Sequence, residues 1–510
     1  MILHKLKDYL ELLNKNNLIE EYNVEDNVLE TNISKISYNS KEVENNTLFI
    51  CKGNKYKKEY LEEAINNNAI CYIAELENKT IEDVNYIIVK DIRKSLALVS
   101  SLYYNYPAKD INMIGITGTK GKSTTAYYIK SIIDSYRKSL NEKEAAIISS
   151  IDVYDGKIYK EALMTSPESL VLQEHIKNAV DSNILDFIME VSSQALKFDR
   201  VYNVLYKVGI FLNISEDHIS DVEHQDFKDY FYSKLELFKQ TENACINLDS
   251  NNVEEIIEAS KKSPKVITFS TKNKDADVYA YDIKKDGHNT IKFRVRTSSF
   301  DEEIVLNMPG LFNVENALAA ISTAIVLNIP FENIYEGLSK AKASGRMESH
   351  ITKDNKIIAI VDYAHNKLSF EKLYASVKEE YPNRDIITVF GCPGGKAQNR
   401  RKDLGLLSGK YSKVTYLTAE DPGPEATKDI CEEIALYVRE NNGEYKIIED
   451  RGEAIKTAIK ENPNSVILIT GKGNETRQKY GNEYVACLTD TDYVFEAFKE
   501  YEDSIIKVKI

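Results

Sequence analysis

The chain has 510 residues, too many for a single hydrophobic core, and that length predicts about three domains. Its 43% hydrophobic content is enough for packed interiors, while a formal net charge of -14 excludes a general nucleic-acid binder and leaves room for a local basic pocket that takes an anionic substrate. The six cysteines (Cys51, Cys71, Cys245, Cys392, Cys431, Cys487) have no CxxC or other ligand spacing, so neither a disulfide framework nor a zinc site is expected. Met1-Ile-Leu-His-Lys5 is not a signal peptide and no apolar run approaches the roughly 20 residues of a membrane span, so the expectation is a cytoplasmic protein.

Residues 1–107 carry short β-like runs at Ile36–Ser40, Thr47–Cys51, Ala69–Ala74 and Tyr86–Lys90, with a helix over Glu59–Asn68, which makes a small α/β unit. A helical pattern over Ile92–Tyr104 stops before Pro107, and Pro107–Asp110 reads as a linker. Ser40-Lys41 sits at a strand end, where a hydroxyl and a cation could hold a diphosphate; alone, the pair reads as surface decoration.

From Ile111 strands and helices alternate, which predicts a mainly parallel sheet covered on both faces. The run Met113–Thr117 ends in Gly118-Thr-Lys-Gly121-Lys122-Ser123-Thr124-Thr125 and then a helix, the order of a phosphate loop. Glycines let backbone N–H groups approach phosphate oxygens, the helix start favours negative charge, Lys122 can reach the terminal phosphates, and the Ser123 hydroxyl can hold Mg²⁺. The spacing departs from the usual G-x-x-x-x-G-K-[ST], because position 116 is Ile. The apolar runs Ile184–Glu190 and Val208–Ile214 end in Glu190 and in Asn213-Ile-Ser-Glu-Asp-His218, so a carboxylate and an imidazole fall outside the strand ends as candidate metal ligands. A helix over Phe227–Phe238 carries Lys234, which by pattern alone is a solvated helix lysine, and Pro309–Asn316 turns into an apolar helix reaching Leu327.

The pattern restarts around Gly345-Arg346-Met347-Glu348. Strands at Ile357–Val361, Ile386–Phe390, Val414–Leu417, Lys446–Ile448 and Val466–Ile469 alternate with helices and run into the loops Asp362–His365, Gly391–Lys396, Thr418–Pro422 and Gly471–Glu475, all expected at one end of a sheet.

Taken together, these motifs resemble the Mur ligases, and among them the MurE type, which adds the third amino acid to the peptidoglycan precursor. The resemblance rests on Gly118–Thr124, Glu190-Val-Ser-Ser193, Asn213–His218, Ser233-Lys234, Gly310–Asn316, Gly345–Glu348, Asp362–His365, Phe390-Gly-Cys392 and Gly471-Lys-Gly473, in order over nearly the whole chain. It implies an α/β chain of three domains: 1–107, a small UDP-sugar-binding domain; 108–345, a central P-loop ATPase-like domain with a mainly parallel sheet; and 346–510, a Rossmann-like amino-acid-binding ligase domain. By the same resemblance Gly118, Thr119, Lys120, Gly121, Lys122, Ser123 and Thr124 bind ATP with Asn313, Asn316, Arg346 and Asp362. Ser123, Glu190, His218 and a carbamylated Lys234 hold Mg²⁺, and Lys122, Lys234, His218 and Glu190 are the catalytic set. Ser40, Thr165, Ser166, Ser192 and Arg200 match contacts to the UDP-sugar; Arg401, Glu420, Asp421, Gly471 and Glu475 match contacts to the incoming amino acid.

The implied reaction is ATP-dependent amide formation on UDP-MurNAc-L-Ala-D-Glu through an acyl phosphate, with ADP and phosphate released. Its partners are small molecules (the UDP-MurNAc-dipeptide, an amino acid and ATP), with no nucleic acid and a monomeric enzyme expected. The family's Asp-Asn-Pro-Arg motif, whose arginine takes the distal carboxylate of meso-diaminopimelate, stands here as Glu420-Asp421-Pro422-Gly423. Loss of the arginine and gain of an acid suit a side-chain ammonium, so L-lysine is expected, with ornithine or diaminopimelate as alternatives. Other departures are Gln194 for His, Asn474 for His and Asn366-Lys367 for Thr-Pro. Folylpolyglutamate synthase shares the chemistry but has its phosphate loop near the N-terminus, whereas about 107 residues precede it here. A P-loop kinase would not need the Asp362 and Gly471 loops, and a silent scaffold would not need the intact Lys122, Glu190, His218 and Lys234.

Overall fold

The computed structural model describes residues 3–53, 56–79, 84–162, 164–217, 219, 223–286, 290–308, 310–341, 345, 347–395 and 398–508. Its contacts divide the chain into two compact units, Met1–Ala280 with Arg296–Phe300 and Glu315–Gly337, and Tyr281–Val295 with Asp301–Val314 and Leu338–Ile510.

The first unit begins with a five-stranded sheet in the order Ile19–Asn23, Tyr86–Val89, Ala69–Ala74, Thr47–Ile50, Lys35–Ser37, parallel except for its first strand. The helices Leu6–Lys15 and Ile92–Tyr103 cover one face through Leu6, Tyr9, Leu13, Leu96 and Val99, and the helix Lys58–Asn66 covers the other through Leu61 and Ala64. Asp91 starts the helix Ile92–Tyr103 by accepting from the Arg93 and Lys94 N–H groups, and Tyr106, left-handed at φ 53°, turns the chain into Pro107. The helix Leu6–Lys15 and the strand Ile19–Asn23 were not expected. That strand is exposed along four of its five residues, so it has no alternation to read.

The second sheet of this unit runs Lys265–Ser270, Thr241–Asn247, Tyr206–Phe211, Asn112–Thr117, Asp186–Glu190, Ala146–Ile148, all parallel, and ends in the antiparallel strands Asp152–Tyr154 and Tyr159–Glu161. From Asn112–Thr117 the chain goes two places along the sheet, returns to the adjacent place, and then crosses to the opposite side. That switch opens a crevice at the carboxyl end of the strand. Register fixes what meets there, because Glu190 pairs with Ile116 on one flank and Phe211 with Thr117 on the other.

The second unit contains a six-stranded sheet, Glu348–Ile351, Ile358–Asp362, Ser465–Thr470, Asp385–Phe390, Val414–Leu417, Glu444–Ile447, parallel apart from the first strand. Both faces are apolar, as parallel sheets require. Ile386 and Phe390 join Phe370, Leu404 and Ile430 on one side, while Ile387 and Val389 join Ile455, Ala458 and Val494 on the other. Every strand expected here is present within one or two residues. The hairpin Arg477–Tyr480 and Glu483–Ala486 and the helix Asp490–Val508 add to the expected set, as do the strands Val278–Lys285, Ile291–Arg296 and Asp301–Leu306 earlier in the chain.

Candidate active site

The phosphate loop follows the strand Asn112–Thr117 and ends in the helix Lys122–Ser139, whose start at Gly121 has φ 87°. A side chain at that backbone angle is strained, and a Cβ there would also run into Oδ1 of the buried Asn316, so the glycine is a steric requirement. Asn213, the second residue after the other flanking strand, holds the loop. Its carbonyl accepts from the Thr119 N–H at 3.0 Å and its side-chain oxygen from the Lys120 N–H at 2.9 Å, while its amide donates to the Lys120 carbonyl at 3.0 Å.

Two lysines converge on the loop. Lys122 Nζ donates to the Gly118 and Thr119 carbonyls at 3.0 and 3.3 Å, and Lys234 Nζ donates to the same Gly118 carbonyl at 3.0 Å. Lys234 is only 2% exposed, so the solvated-lysine reading of its helix pattern is wrong. The helix Phe227–Leu235 turns it inward, one turn after Tyr230, whose ring lies 4.6 Å from the ammonium and whose hydroxyl donates to Thr119 Oγ1 at 3.2 Å. Burial, and then the charges of Lys122 and Lys120, hold the Lys234 amine well below the ordinary range for lysine.

On the other flank Glu190 is 1% exposed and accepts from the Ser150 N–H at 2.9 Å and the Ser150 hydroxyl at 3.2 Å; Ser150 Oγ lies 2.9 Å from Ser123 Oγ. A hydroxyl, a hydroxyl and a carboxylate in a row are hard oxygen donors, the chemistry Mg²⁺ selects. Among the described residues no group of three His, Cys, Asp or Glu gathers as a metal cluster, and His218 lies outside those residues. Thr124 is buried in the first helical turn. Asn313 is buried in the turn before Asn316 on the helix Phe312–Val326, and Arg346 lies outside the described residues.

Ser166, Ser192 and Arg200 come together beyond Glu190. Ser166 Oγ donates to the Glu190 carbonyl at 2.9 Å and accepts from the Ser192 N–H at 3.0 Å, and Arg200 reaches the Ser166 carbonyl at 3.4 Å and the Glu168 carboxylate at 3.0 Å. Glu168 also pairs with Lys52 of the first sheet's loops, and Thr165 is half-buried beside Ser166. Ser40 is buried in a 3-10 turn, with its hydroxyl donating to Glu63 at 2.6 Å.

In the second unit Asp362 anchors one loop through N–H groups of Ala364 and Met347 at 2.7 and 2.8 Å, and its carbonyl accepts from the Gly471 N–H at 3.2 Å. Glu420 packs against Gly471 so closely that a Cβ there would strike its Oε2. Burial, opposed by Arg451, Arg400 and Lys472, pushes the Glu420 carboxyl up to about 8. Beside it, the ammonium of Lys472 (2% exposed) is shared by Asp421 at 2.9 Å, Glu475 at 2.5 Å and the Arg477 carbonyl at 2.6 Å, and Tyr363 donates to Glu475 at 3.0 Å. Arg401 is already engaged: it holds Glu425 at 2.8 Å and Glu433 at 2.6 Å, so a substrate carboxylate would have to displace one of them.

Sequence reasoning missed Ser150, Tyr230, Lys472 and Arg451. Tyr230 stands four residues before Lys234, a spacing that announces a shared helix face. Ser150 had no local signal, since it reaches Glu190 only through the pairing of Ile148 with Met189.

Residues 116–324 match the Mur ligase middle domain, and residues 345–473 match the domain described as Mur ligase, glutamate ligase domain. The chain is 34% identical over 493 residues to the UDP-N-acetylmuramoyl-L-alanyl-D-glutamate--L-lysine ligase of Enterococcus faecalis, covering 94% of this chain and 95% of the relative. It is 35% identical over 461 residues to the corresponding 2,6-diaminopimelate ligase of Alkaliphilus metalliredigens, covering 89% and 91%. Among solved structures, a UDP-N-acetylmuramoyl-L-alanyl-D-glutamate--2,6-diaminopimelate ligase matches with a TM-score of 0.66 at 21% identity, over 98% of this chain and all of that one.

Proposed function

The chain belongs to the Mur ligase family, and on that premise we propose that it joins an amino acid, L-lysine, to UDP-MurNAc-L-Ala-D-Glu with ATP hydrolysed to ADP and phosphate. The observation that carries the ligase reading is the convergence of Lys122 and Lys234 on one carbonyl of a strand–loop–helix phosphate site, with Glu190 on its flank. The dipeptide's terminal carboxylate attacks the γ-phosphorus of ATP, and ADP leaves. The amine of the incoming amino acid then attacks the acyl carbon, phosphate departs and the amide remains.

The first step brings two anions together, and in the second a neutral amine displaces phosphate and gives up a proton, so the residues' work is charge neutralisation and positioning. Lys122, with the N–H of Gly121 at the helix start, would cradle the transferring phosphoryl group. Ser123 and Glu190, with His218 and a carbamylated Lys234, would hold Mg²⁺, which when bound screens the phosphate oxygens. Ser166, Ser192 and Arg200 would orient the UDP-sugar dipeptide, and Ser40, with Thr165, its uridine and sugar ends. Asn313, Asn316, Arg346 and Asp362 would contact the nucleotide.

For the amino acid, Glu420 is a buried carboxyl with no hydrogen-bond donor among the described residues, in a family position next to Gly423 where diaminopimelate-adding relatives carry an arginine. An ammonium satisfies it and a second carboxylate does not. Glu475 and Gly471 would grip the α-amino end, with Asp421 orienting Lys472. The division into domains 1–107, 108–345 and 346–510, a monomeric state and a cytoplasmic location complete the proposal. Among the described residues, no helix is long and apolar enough to cross a membrane.

The deciding experiment incubates the protein with ATP, Mg²⁺ and UDP-MurNAc-L-Ala-D-Glu and follows ADP release and product mass for lysine, ornithine and meso-diaminopimelate. A lysine-containing tripeptide product is expected. Preference for diaminopimelate overturns the lysine assignment, and ADP release without amide overturns the ligase assignment.

A further inference from the structure

Glu168 opens the helix Ser169–Asp181 without capping it. Its carboxylate makes no hydrogen bond to the helix's first N–H groups, which is the ordinary use of an acid at a helix start. It turns instead to two cations from the loops of different sheets. Lys52 comes from the loop after the first sheet's strand Thr47–Ile50, and Arg200 follows the helix Ser193–Lys197 beside the second sheet, its Nε 3.0 Å from Glu168 Oε1.

A third cation acts in the same field. Arg93, in the first turn of the helix Ile92–Tyr103, lays its guanidinium on the Phe198 ring at 4.2 Å. Against the pull of burial, Lys52, Arg200 and Arg93 hold the Glu168 carboxyl below its ordinary range. On Lys52 burial wins: with repulsion from Arg93 and Arg200 added, its ammonium is held below the ordinary lysine range in spite of Glu168. The next acid, Asp199, takes its main support from Lys94, so one carboxylate is left to balance three cations. The group is within reach of solvent, the side chains of Lys52, Arg200 and Glu168 being 15, 14 and 26% exposed.

Position decides what the surplus charge can hold. On one side Lys52 Nζ lies 4.9 Å from the centroid of the Tyr38 ring, two residues before Ser40, which is assigned above to the uridine end. On the other side Arg200 reaches the Ser166 carbonyl at 3.4 Å, among the residues assigned to the sugar and dipeptide. In a UDP-sugar the group between base and sugar is the diphosphate.

We propose that Lys52 joins Arg200 as a binding residue for the substrate's diphosphate, with Arg93 adding to the field, and that Glu168 is an internal stand-in that yields both cations to the phosphate oxygens when substrate arrives. Resting on the UDP-sugar reading above, this gives a role to Lys52, Arg93 and Glu168, which had none there. A diphosphate brings more charge and more acceptor oxygens than one carboxylate, and a guanidinium takes phosphate through paired donors. A neutral base or sugar would leave the surplus unanswered.

The test is calorimetric titration of the full-length protein with UDP and with UDP-MurNAc-L-Ala-D-Glu, without ATP, so that binding is read apart from turnover. Lys52→Met should weaken both ligands by about tenfold or more. Glu168→Gln should act in the opposite sense and tighten both by about threefold or more, because the ligand no longer competes with an internal carboxylate. The unfolding midpoint of Glu168→Gln should fall without ligand, since two partly buried cations lose their partner, and UDP should raise it by more than it raises that of the unaltered protein. A salt bridge that only joins the two sheets' loops predicts weakening from both substitutions. Unchanged affinity in Lys52→Met overturns the proposal, as do weakening by Glu168→Gln and a loss confined to the dipeptide-bearing ligand. Failure of the unaltered protein to bind either ligand overturns the UDP-sugar reading and this inference with it, whereas the expected binding pattern without amide formation overturns the ligase reading alone.

Discussion

Lys234 and Glu420 are two buried groups whose charge states are displaced in opposite senses, and both displacements predict chemistry. An amine held below its ordinary range is unprotonated more of the time, and the free amine is the form that adds CO₂ to give a carbamate anion and a proton. Protein equilibrated with ¹³C-bicarbonate should therefore give a carbamate ¹³C signal that Lys234→Met lacks; a signal common to both proteins would remove Lys234 from the metal set. Glu420, pushed up from 4.5 to about 8, is neutral over most of the physiological range until a cation arrives. KM for lysine should fall as pH rises towards 8 and level off above it, and Glu420→Gln should flatten that profile. The stability sign is the reverse of a salt-bridged acid's. The folded state holds the extra proton, so stability is greatest below 4.5 and declines as pH rises from there to about 8.

Gly121 and Arg451 show how much of a site depends on how elements end. Alanine at position 121 must adopt a positive φ, at about 1–2 kcal/mol, and displace Asn316 as well, so Gly121→Ala should weaken ATP binding by more than tenfold with the unfolding midpoint slightly lowered. Arg451 is buried at the carboxyl edge of the second unit's sheet. It donates to the Thr470 and Ala419 carbonyls at 2.8 and 3.4 Å and forms two bonds to Asp490 at 2.6 and 2.7 Å. Arg451→Leu leaves Asp490 buried without its cation and should cost about 3–5 kcal/mol in urea unfolding, with the Gly471 and Glu420 loops loosened together. These dependences explain what could be read in advance. Glycine, lysine and hydroxyl spacing is local, so the phosphate loop and the strand ends at Glu190 and Asp362 were legible from residue order. The Ser150 bridge to Glu190, the inward turn of Lys234 and the capture of Arg401 by Glu425 arise from strand pairing or from helices distant in sequence. In the meander Val278–Leu306 the strand Ile291–Arg296 alternates apolar and charged residues strictly and was legible though unread, whereas Glu483–Ala486 of the hairpin after Thr476 is exposed along all four residues and has no buried face to read.

The proposed monomeric state is open to a direct check, since a net charge of -14 opposes non-specific association. Light scattering at low salt should give the monomer mass, 58.1 kDa, and a mass of twice that would overturn the monomer reading. One seam in the second unit bears on how such a protein could change its preferred amino acid. Gly423, at φ 57°, donates its N–H to the Lys479 carbonyl at 3.0 Å and accepts from the Gly481 N–H at 2.6 Å, while Asp421 takes the Lys479 N–H at 2.9 Å. The loop that would choose the substrate is thus one margin of a backbone seam with the hairpin Arg477–Ala486. Restoring an arginine at position 423 places a branched-off chain on a left-handed backbone, costing about 1–2 kcal/mol before it touches any ligand. The space at the residue is open, with the nearest atom 3.7 Å from an added Cβ, so the cost of such an exchange lies in the backbone that the hairpin holds, and engineering of the preferred amino acid should vary the two segments as a single cassette.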